Sequence, residues 1–169
     1  MKLMSNWGFS LESWKGERGE YLLLMQAVLM IGFVLLPVYR PEGLMVLPPV
    51  RYGLWAIALL LCLPATFVMI KALLDLGANL TPLPYPKQDG QLVQTGLYGI
   101  VRHPLYSGIL LAELGYAIGQ LSLSHLAAVL ALSVLLNYKA SREEAWLSDR
   151  HPDYAAYQQR VKKLIPLIF

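Results

Sequence analysis

Two groups of residues hold most of the side chains in this chain that can do chemistry. Residues 102–106 read Arg-His-Pro-Leu-Tyr, and a second group, Lys139, Glu143 and Glu144, follows further along. A guanidinium, an imidazole, a phenol, an ammonium and two carboxylates are the parts of a site that grips a charged molecule through charge-assisted hydrogen bonds. The imidazole adds a group able to move protons near neutral pH. Helical spacing puts Tyr106 four residues after Arg102 and Glu113 seven after Tyr106, roughly on one face. Glu113 lies inside an apolar segment, where a carboxyl group is expensive and faces a partner or a cavity. Metal chemistry is not indicated. The three histidines (His103, His125, His151) have no metal-ligand spacing, and Cys62 is the only cysteine. There is also no Gly-rich dinucleotide fingerprint and no P-loop.

These groups must be positioned by membrane helices. Of the 169 residues, 56% are hydrophobic and 15% charged, a balance that points to a membrane protein. Crossing a hydrocarbon core of roughly 30 Å takes about 20 helical residues. Two runs meet that length, Tyr21 to Tyr39 and Tyr52 to about Leu76. The first follows a mostly polar stretch and has no small-residue cleavage site after it, so it is not expected to be a signal peptide. A third segment from Pro104 to about Gln120 and a fourth from about Leu123 to Tyr138 are joined by Gln120-Leu121-Ser122, as in an antiparallel helical hairpin. Their polar ends can continue as helix beyond the lipid.

Charge placement supports four spans with both termini cytoplasmic. The tail (Lys2, Lys15, Arg18), the middle segment (Lys71, Lys87, Arg102) and the C-terminal segment then share one side. Only Arg40 and Arg51 of the 14 lysines and arginines fall opposite. The net charge of +3 fits a fringe beside anionic lipid and does not call for nucleic acid as a partner.

The loop from Gly77 to Arg102 carries Pro82, Pro84 and Pro86, a spacing that favours extended structure. Pro104 suits the first position of a helix. On the fourth helix Ser133, Asn137, Ser141, Glu144 and Ser148 form a polar stripe, and Lys139 and Glu143 are spaced to pair. This pattern has two readings, a solvated helix end with surface ion pairs or a site for a charged molecule between the hairpin and the loop. Residues 150–154, Arg-His-Pro-Asp-Tyr, echo the first motif, but the sequences that follow the two copies differ, so no duplication is inferred. In the second copy Pro152 again suits a first helical turn and Asp153 complements the helix dipole. Tyr154, Tyr157, Val161, Leu164 and Ile165 then predict a short amphipathic helix at the lipid surface.

Taken together, Gln91-Leu92-Val93, Gly96-Leu97-Tyr98, Arg102-His103-Pro104-x-Tyr106-x-Gly108, Glu143-Glu144-x-x-Leu147, Tyr154-x-x-Tyr157 and Ile165-Pro166 resemble the isoprenylcysteine carboxyl methyltransferase family and the related phospholipid methyltransferases. The likeness covers about residues 77–169. It implies an all-α integral membrane enzyme of one domain. Residues 1–76 would form the tail and first two spans, and 77–169 the cofactor-binding core, with a cytoplasmic loop, a hairpin and a short C-terminal helix. The implied cofactor is S-adenosyl-L-methionine, held by Gln91, Leu92, Val93, Tyr98, His103, Pro104, Leu105, Tyr106, Glu143 and Glu144. Arg102, His103 and Lys139 are the implied catalytic positions, and Lys139 and Glu113 the substrate-binding ones. Lys139 stands where eukaryotic relatives carry an arginine, and it keeps the charge without the planar fork.

The implied acceptor is a lipophilic or lipid-modified molecule from the bilayer, with carboxyl O-methylation of an isoprenylcysteine-like or other lipid the first expectation. A carboxylate acceptor needs no general base, whereas an amine or hydroxyl would call on His103 or Glu113. Two alternatives make different predictions. A sterol-reductase-type enzyme would bind NADPH, and a non-enzymatic membrane subunit or lipid-binding protein would bind neither cofactor.

Overall fold

A computed structural model describes residues 16–42, 46–87 and 89–169, in which five α-helices are the main elements. The expected tail cations Lys2 and Lys15 lie outside these residues. Helix α1 is Glu20–Leu35, α2 is Pro48–Leu76, α3 is Pro104–Gln120, α4 is Leu123–Arg150 and α5 is Tyr154–Arg160. No strand forms among the described residues, and Val101 and Lys162 make an isolated parallel bridge.

Among the described residues two helices are long and apolar enough to cross a membrane: α2 together with the 3-10 turn that extends it to Asn79, and α4. Their surroundings are lipid rather than water. On α2 Leu60 is 71% exposed and Leu74 72%, and the outer faces of α1 and α4 carry Val34 and Val134 equally bare. Apolar surface on this scale needs an apolar solvent.

Helix α1 is shorter than the expected span. It stops at Leu35, because Leu36 precedes Pro37 and is extended. Its 16 residues rise about 24 Å. The chain from Pro37 to Arg40 is instead strapped across the α3–α4 turn. Ser124 Oγ donates to Pro37 O at 2.6 Å, Leu123 N to Tyr39 O at 3.0 Å, and Arg40 Nε to Gln120 O at 2.7 Å.

The expected hairpin forms with the expected ends. Pro104 opens α3, Leu121 closes it in a left-handed conformation (φ 48°), and the Ser122 hydroxyl caps α4 through the His125 amide. Helix α4 continues past Tyr138 to Arg150 as one piece, so its polar half carries site residues on the same rigid rod as the span.

Helices α2 and α3 pack closely because glycines line the contact. A Cβ on Gly108 would stand 2.6 Å from Met69 Cγ, and one on Gly115 2.7 Å from Cys62 Sγ and 3.1 Å from Ala58 O. Ala65 and Ala72 on the facing side are fully buried. Helix α1 packs on α4 instead, and α1 and α2 form no packed interface with each other.

The C-terminal segment departs from expectation. Helix α5 ends at Arg160, and Val161 is extended because the chain there pairs with residues 101–103. Arg102 N donates to Lys162 O at 2.8 Å and His103 N to Lys163 O at 3.0 Å. Pro152 lies in the turn before α5, and Asp153 is its N-cap residue. Of the five residues of the expected lipid-facing stripe, Tyr154, Tyr157, Val161 and Leu164 are buried against protein, with Leu92 and Leu147 beside the first three, and only Ile165 is half exposed. An amphipathic pattern shows that one face is covered without saying what covers it.

Candidate functional site

The loop between α2 and α3 is held in place by several local bonds. Gly96 takes a left-handed φ of 61°, and a Cβ there would meet the Asp75 carboxylate at 2.3 Å. That carboxylate accepts from Leu97 N at 2.9 Å, and Asn79 Oδ1 accepts from Gln91 N at 2.7 Å. Arg150 at the end of α4 donates to Pro86 O at 3.1 Å and also to Lys87 O. Tyr157 of α5 donates its hydroxyl to Tyr98 O at 2.5 Å. The loop, α4 and α5 thus close around a cavity of about 500 Å³, a size suited to a drug-sized ligand.

One wall of this cavity is charged. Arg102 and His103 do not continue the α3 helix downward, as the four-residue spacing suggested. They lie in the segment paired with 162–163, and His103 is the residue before Pro104. From there Arg102 Nε reaches Glu144 Oε1 at 2.8 Å and His103 Nε2 reaches the same oxygen at 3.0 Å. Gln158 Nε2 donates to Glu144 Oε2 at 3.1 Å. On its other side His103 Nδ1 lies 3.4 Å from Glu143 Oε2, and Tyr106 donates its hydroxyl to Glu143 Oε1. The His103 and Tyr106 rings stack 5.4 Å apart and nearly parallel.

Burial alone would disfavour the imidazolium. The hydrogen bonds and charges of Glu143 and Glu144 outweigh it and hold the His103 pKa above the ordinary imidazole value. Burial also pushes the Tyr98 phenol up, with the Glu143 charge adding to it, and raises Tyr157 to about 12. Both phenols are therefore hydrogen-bonding groups at neutral pH and not bases.

The opposite wall is apolar and comes from Leu23 and Met30 of α1, Met69 and Leu73 of α2, and Ile109 of α3. Between the two walls sits Lys139, 3% exposed. Its Nζ donates to Gln26 Oε1 at 2.7 Å and lies 5.2 Å from the centre of the Tyr106 ring. The expected Lys139–Glu143 pair is not made, because Glu143 turns to His103 and Tyr106.

Most of the sequence-predicted residues meet here. Gln91, Leu92, Val93, Tyr98, Arg102, His103, Leu105, Tyr106, Lys139 and Glu143 all line the cavity. Three do not. Pro104 is buried at the start of α3, and Glu144 stands behind Arg102 and His103 as their shared anion. Glu113 lies about two turns beyond Tyr106, outside the lining, with Oε2 buried and without a hydrogen-bond partner. The substrate-binding position expected for Glu113 therefore lies outside the cavity.

Ser133 and Ser148 of the polar stripe only donate to carbonyls of their own helix, whereas the two residues between them besides Glu144 have another role. Asn137 Oδ1 and Ser141 Oγ accept from Lys163 at 2.9 and 2.6 Å, docking the C-terminal segment. His151 and Tyr154 of the second Arg-His-Pro motif, given only a helix-entry role above, also line the cavity. Sequence reasoning missed Gln26, although it is the one amide in a helix that is apolar from Leu22 onward.

Residues 54–153 match the family model described as phospholipid methyltransferase. The chain belongs to the phospholipid methyltransferase family. That match runs from α2 to the turn before α5, so it includes the charged wall and leaves out α1 and α5. Among solved structures, the chain is similar to the eukaryotic intramembrane Ras methyltransferase, isoprenylcysteine carboxyl methyltransferase. The TM-score is 0.63 at 26% identity, over 88% of this chain and 52% of that one. Among curated proteins, it is 37% identical over 82 residues to the cobalt-zinc-cadmium resistance protein CzcN of Cupriavidus metallidurans, covering 47% of this chain and 38% of that protein. The chain thus spans about half or less of the length of these relatives. Among the described residues no group of three or more His, Cys, Asp or Glu side chains is disposed to hold a metal ion.

Proposed function

We propose that the protein is an integral membrane methyltransferase that uses S-adenosyl-L-methionine and acts on a lipophilic acceptor, with carboxyl O-methylation as its reaction. The observation that carries this reading is the two-sided cavity, with a charged wall on the loop and hairpin and an apolar wall between α1 and α2. A charged, nucleoside-bearing cofactor and a lipid-borne nucleophile could meet there without crossing each other's solvent.

The donor set fits the cofactor. Glu143 offers a carboxylate to an ammonium group, and Tyr98 and the 91–93 backbone offer hydrogen bonds to ribose and adenine. Leu92 and Leu105 give apolar surface. When bound, the cofactor would supply an electrophilic methyl group on a sulfonium with a neutral thioether as leaving group. The protein's share is alignment and exclusion of water. His103 and Tyr106 hold Glu143 in place, and Arg102 and Glu144 position His103. Lys139 faces the acceptor. A carboxylate acceptor carries no proton, so no general base is required of His103.

The family match, and a fold shared with a Ras methyltransferase, support this assignment. The loop, the C-terminal segment and the start of α1 meet at one end of the bundle, where Arg18 lies 5.8 Å from the centre of the Tyr85 ring. We assign that end, and both termini with it, to the cytoplasm. The test is incubation with methyl-labelled S-adenosylmethionine and a membrane lipid extract. Label is expected in an acid-stable, base-labile lipid methyl ester, and absence of label from every lipid class would contradict the reading.

A further inference from the structure

Arg40 and Arg51, the two cations that charge placement sets apart from the rest, line one cavity at the end of the bundle opposite the cofactor loop. It measures about 170 Å³, and Trp55 of α2 with Gly119 and Gln120 at the end of α3 form much of its wall. A Cβ on Gly119 would stand 2.9 Å from Ala58 Cβ, so the two helices approach closely where the cavity lies. Arg40 is anchored by part of its fork: Nε donates to Gln120 O at 2.7 Å and Nη2 to Gln120 Oε1 at 3.2 Å, which leaves Nη1 unused. The Arg51 side chain makes no hydrogen bond or ion pair with any described residue, and among the described residues no carboxylate pairs with either guanidinium. Helix α2 begins beside them with no acidic residue in its first turn and no side-chain cap, so its positive end adds to the same field. The depth of the cavity in the membrane is marked by Tyr52 and Trp55. They form an edge-to-face pair 5.9 Å apart, both more than half exposed, and such residues collect at head-group level.

We propose that this cavity binds the phosphodiester head group of an anionic phospholipid, shared between Arg40 and Arg51. The site is remote from the methyl-transfer cavity, since Arg51 and Met69 are separated by about 27 Å of helix, and it does not depend on the methyltransferase reading. A guanidinium fork matches phosphate oxygens in pairs, and a basic pocket between membrane helices suits an anionic head group. A zwitterionic head group would bring its own cation to two guanidiniums, with no carboxylate in the lining to receive it, so the site selects lipids of net negative charge. At the level of the aromatic pair a lipid keeps its acyl chains in the bilayer while its phosphate enters the cavity. The bound lipid also has a place in the frame. Arg40 follows α1 and Arg51 lies in the first turn of α2, two helices that form no packed interface with each other. A phosphate held by both fastens these helices, which together supply the apolar wall of the methyl-transfer cavity.

The test uses the full chain in detergent. Dioleoyl phosphatidylglycerol, dioleoyl phosphatidylcholine and inorganic phosphate are titrated separately against the wild type, Arg51→Gln and Lys162→Gln, with thermal stabilisation giving each Kd. The wild type is expected to bind phosphatidylglycerol roughly tenfold or more tightly than phosphatidylcholine, and to gain no stability from inorganic phosphate at the same concentrations. Arg51→Gln should bring the two lipids to within about threefold of each other. Because the Arg51 side chain has no partner among the described residues, the melting temperature of Arg51→Gln without lipid should equal that of the wild type. Lys162→Gln, at the opposite end of the bundle, should keep the full preference, which separates this site from general attraction to the basic fringe. The proposal is overturned if the wild type does not prefer phosphatidylglycerol, binding of neither lipid included, or if the preference survives Arg51→Gln. It is also overturned if Lys162→Gln reduces the preference as much as Arg51→Gln does, or if Arg51→Gln melts lower without lipid, since Arg51 would then have a structural task. Stabilisation by inorganic phosphate equal to that by phosphatidylglycerol would show a site for a free anion and overturn the lipid as its occupant.

Discussion

The two ends of the cavity are built on opposite electrostatic plans. At the loop end four charged side chains satisfy one another, with Glu144 alone accepting from Arg102, His103 and Gln158. At the membrane end the Lys139 ammonium donates to an amide and lies over an aromatic face, and among the described residues no carboxylate is within ion-pair distance of it. A closed network fixes geometry before any ligand arrives, and is suited to a ligand that is always the same. An open charge is completed by its ligand and so selects among ligands.

The largest effect should come from breaking the closed network. Glu144→Ala leaves Arg102 and His103 buried without their shared carboxylate. Removal of one partner from a buried pair costs about 3–5 kcal/mol, so a marked loss of thermal stability and of folded yield is expected. An unchanged melting temperature would show that the network is not closed in the way described. His103→Ala should weaken S-adenosylhomocysteine binding by roughly 30-fold or more, from a loss of about 2 kcal/mol at a charge-paired site, read by titration calorimetry.

Gly115→Val would test the frame that carries both ends, because the added atoms meet Cys62 Sγ and Ala58 O across the α2–α3 contact. Overpacking of this kind costs about 1–3 kcal/mol, and thermal unfolding in detergent should register it.

The smallest effect is a pH slope. The His103 pKa is raised in the folded protein, so the stabilisation from its imidazolium is complete below the ordinary value of 6.5 and fades as pH rises through the folded value. Melting temperature should therefore decline with rising pH above about 6.5, and His103→Gln should flatten that decline.

The sequence made this comparison only half legible, for identifiable reasons. Helix α3 was readable at both ends because Pro104 supplies a first-position signal and Gln120-Leu121-Ser122 is too short for anything but a tight hairpin. The loop-end residues were readable because their charge types and spacing form a motif. The end of α1 was overrun by hydropathy, although Pro37 already marked the residue before it as non-helical. The C-terminal segment was misjudged because pairing between 101–103 and 162–163 joins residues remote in sequence and leaves no periodic trace. Tyr154 and Tyr157 were correctly put on one face, but periodicity could not tell protein from lipid as the cover. Gln26 was visible as a lone amide on α1, yet its meaning depends on Lys139, 113 positions away.

The central claim is that the charged wall presented by Arg102, His103, Tyr106 and Glu143 receives S-adenosylmethionine. The most direct measurement is a titration of the full-length protein in detergent with S-adenosylhomocysteine and, separately, with NADPH, following thermal stabilisation. Saturable stabilisation by S-adenosylhomocysteine alone, strongly weakened in His103→Ala, is the predicted result. Stabilisation by NADPH instead, or by neither ligand, would contradict it.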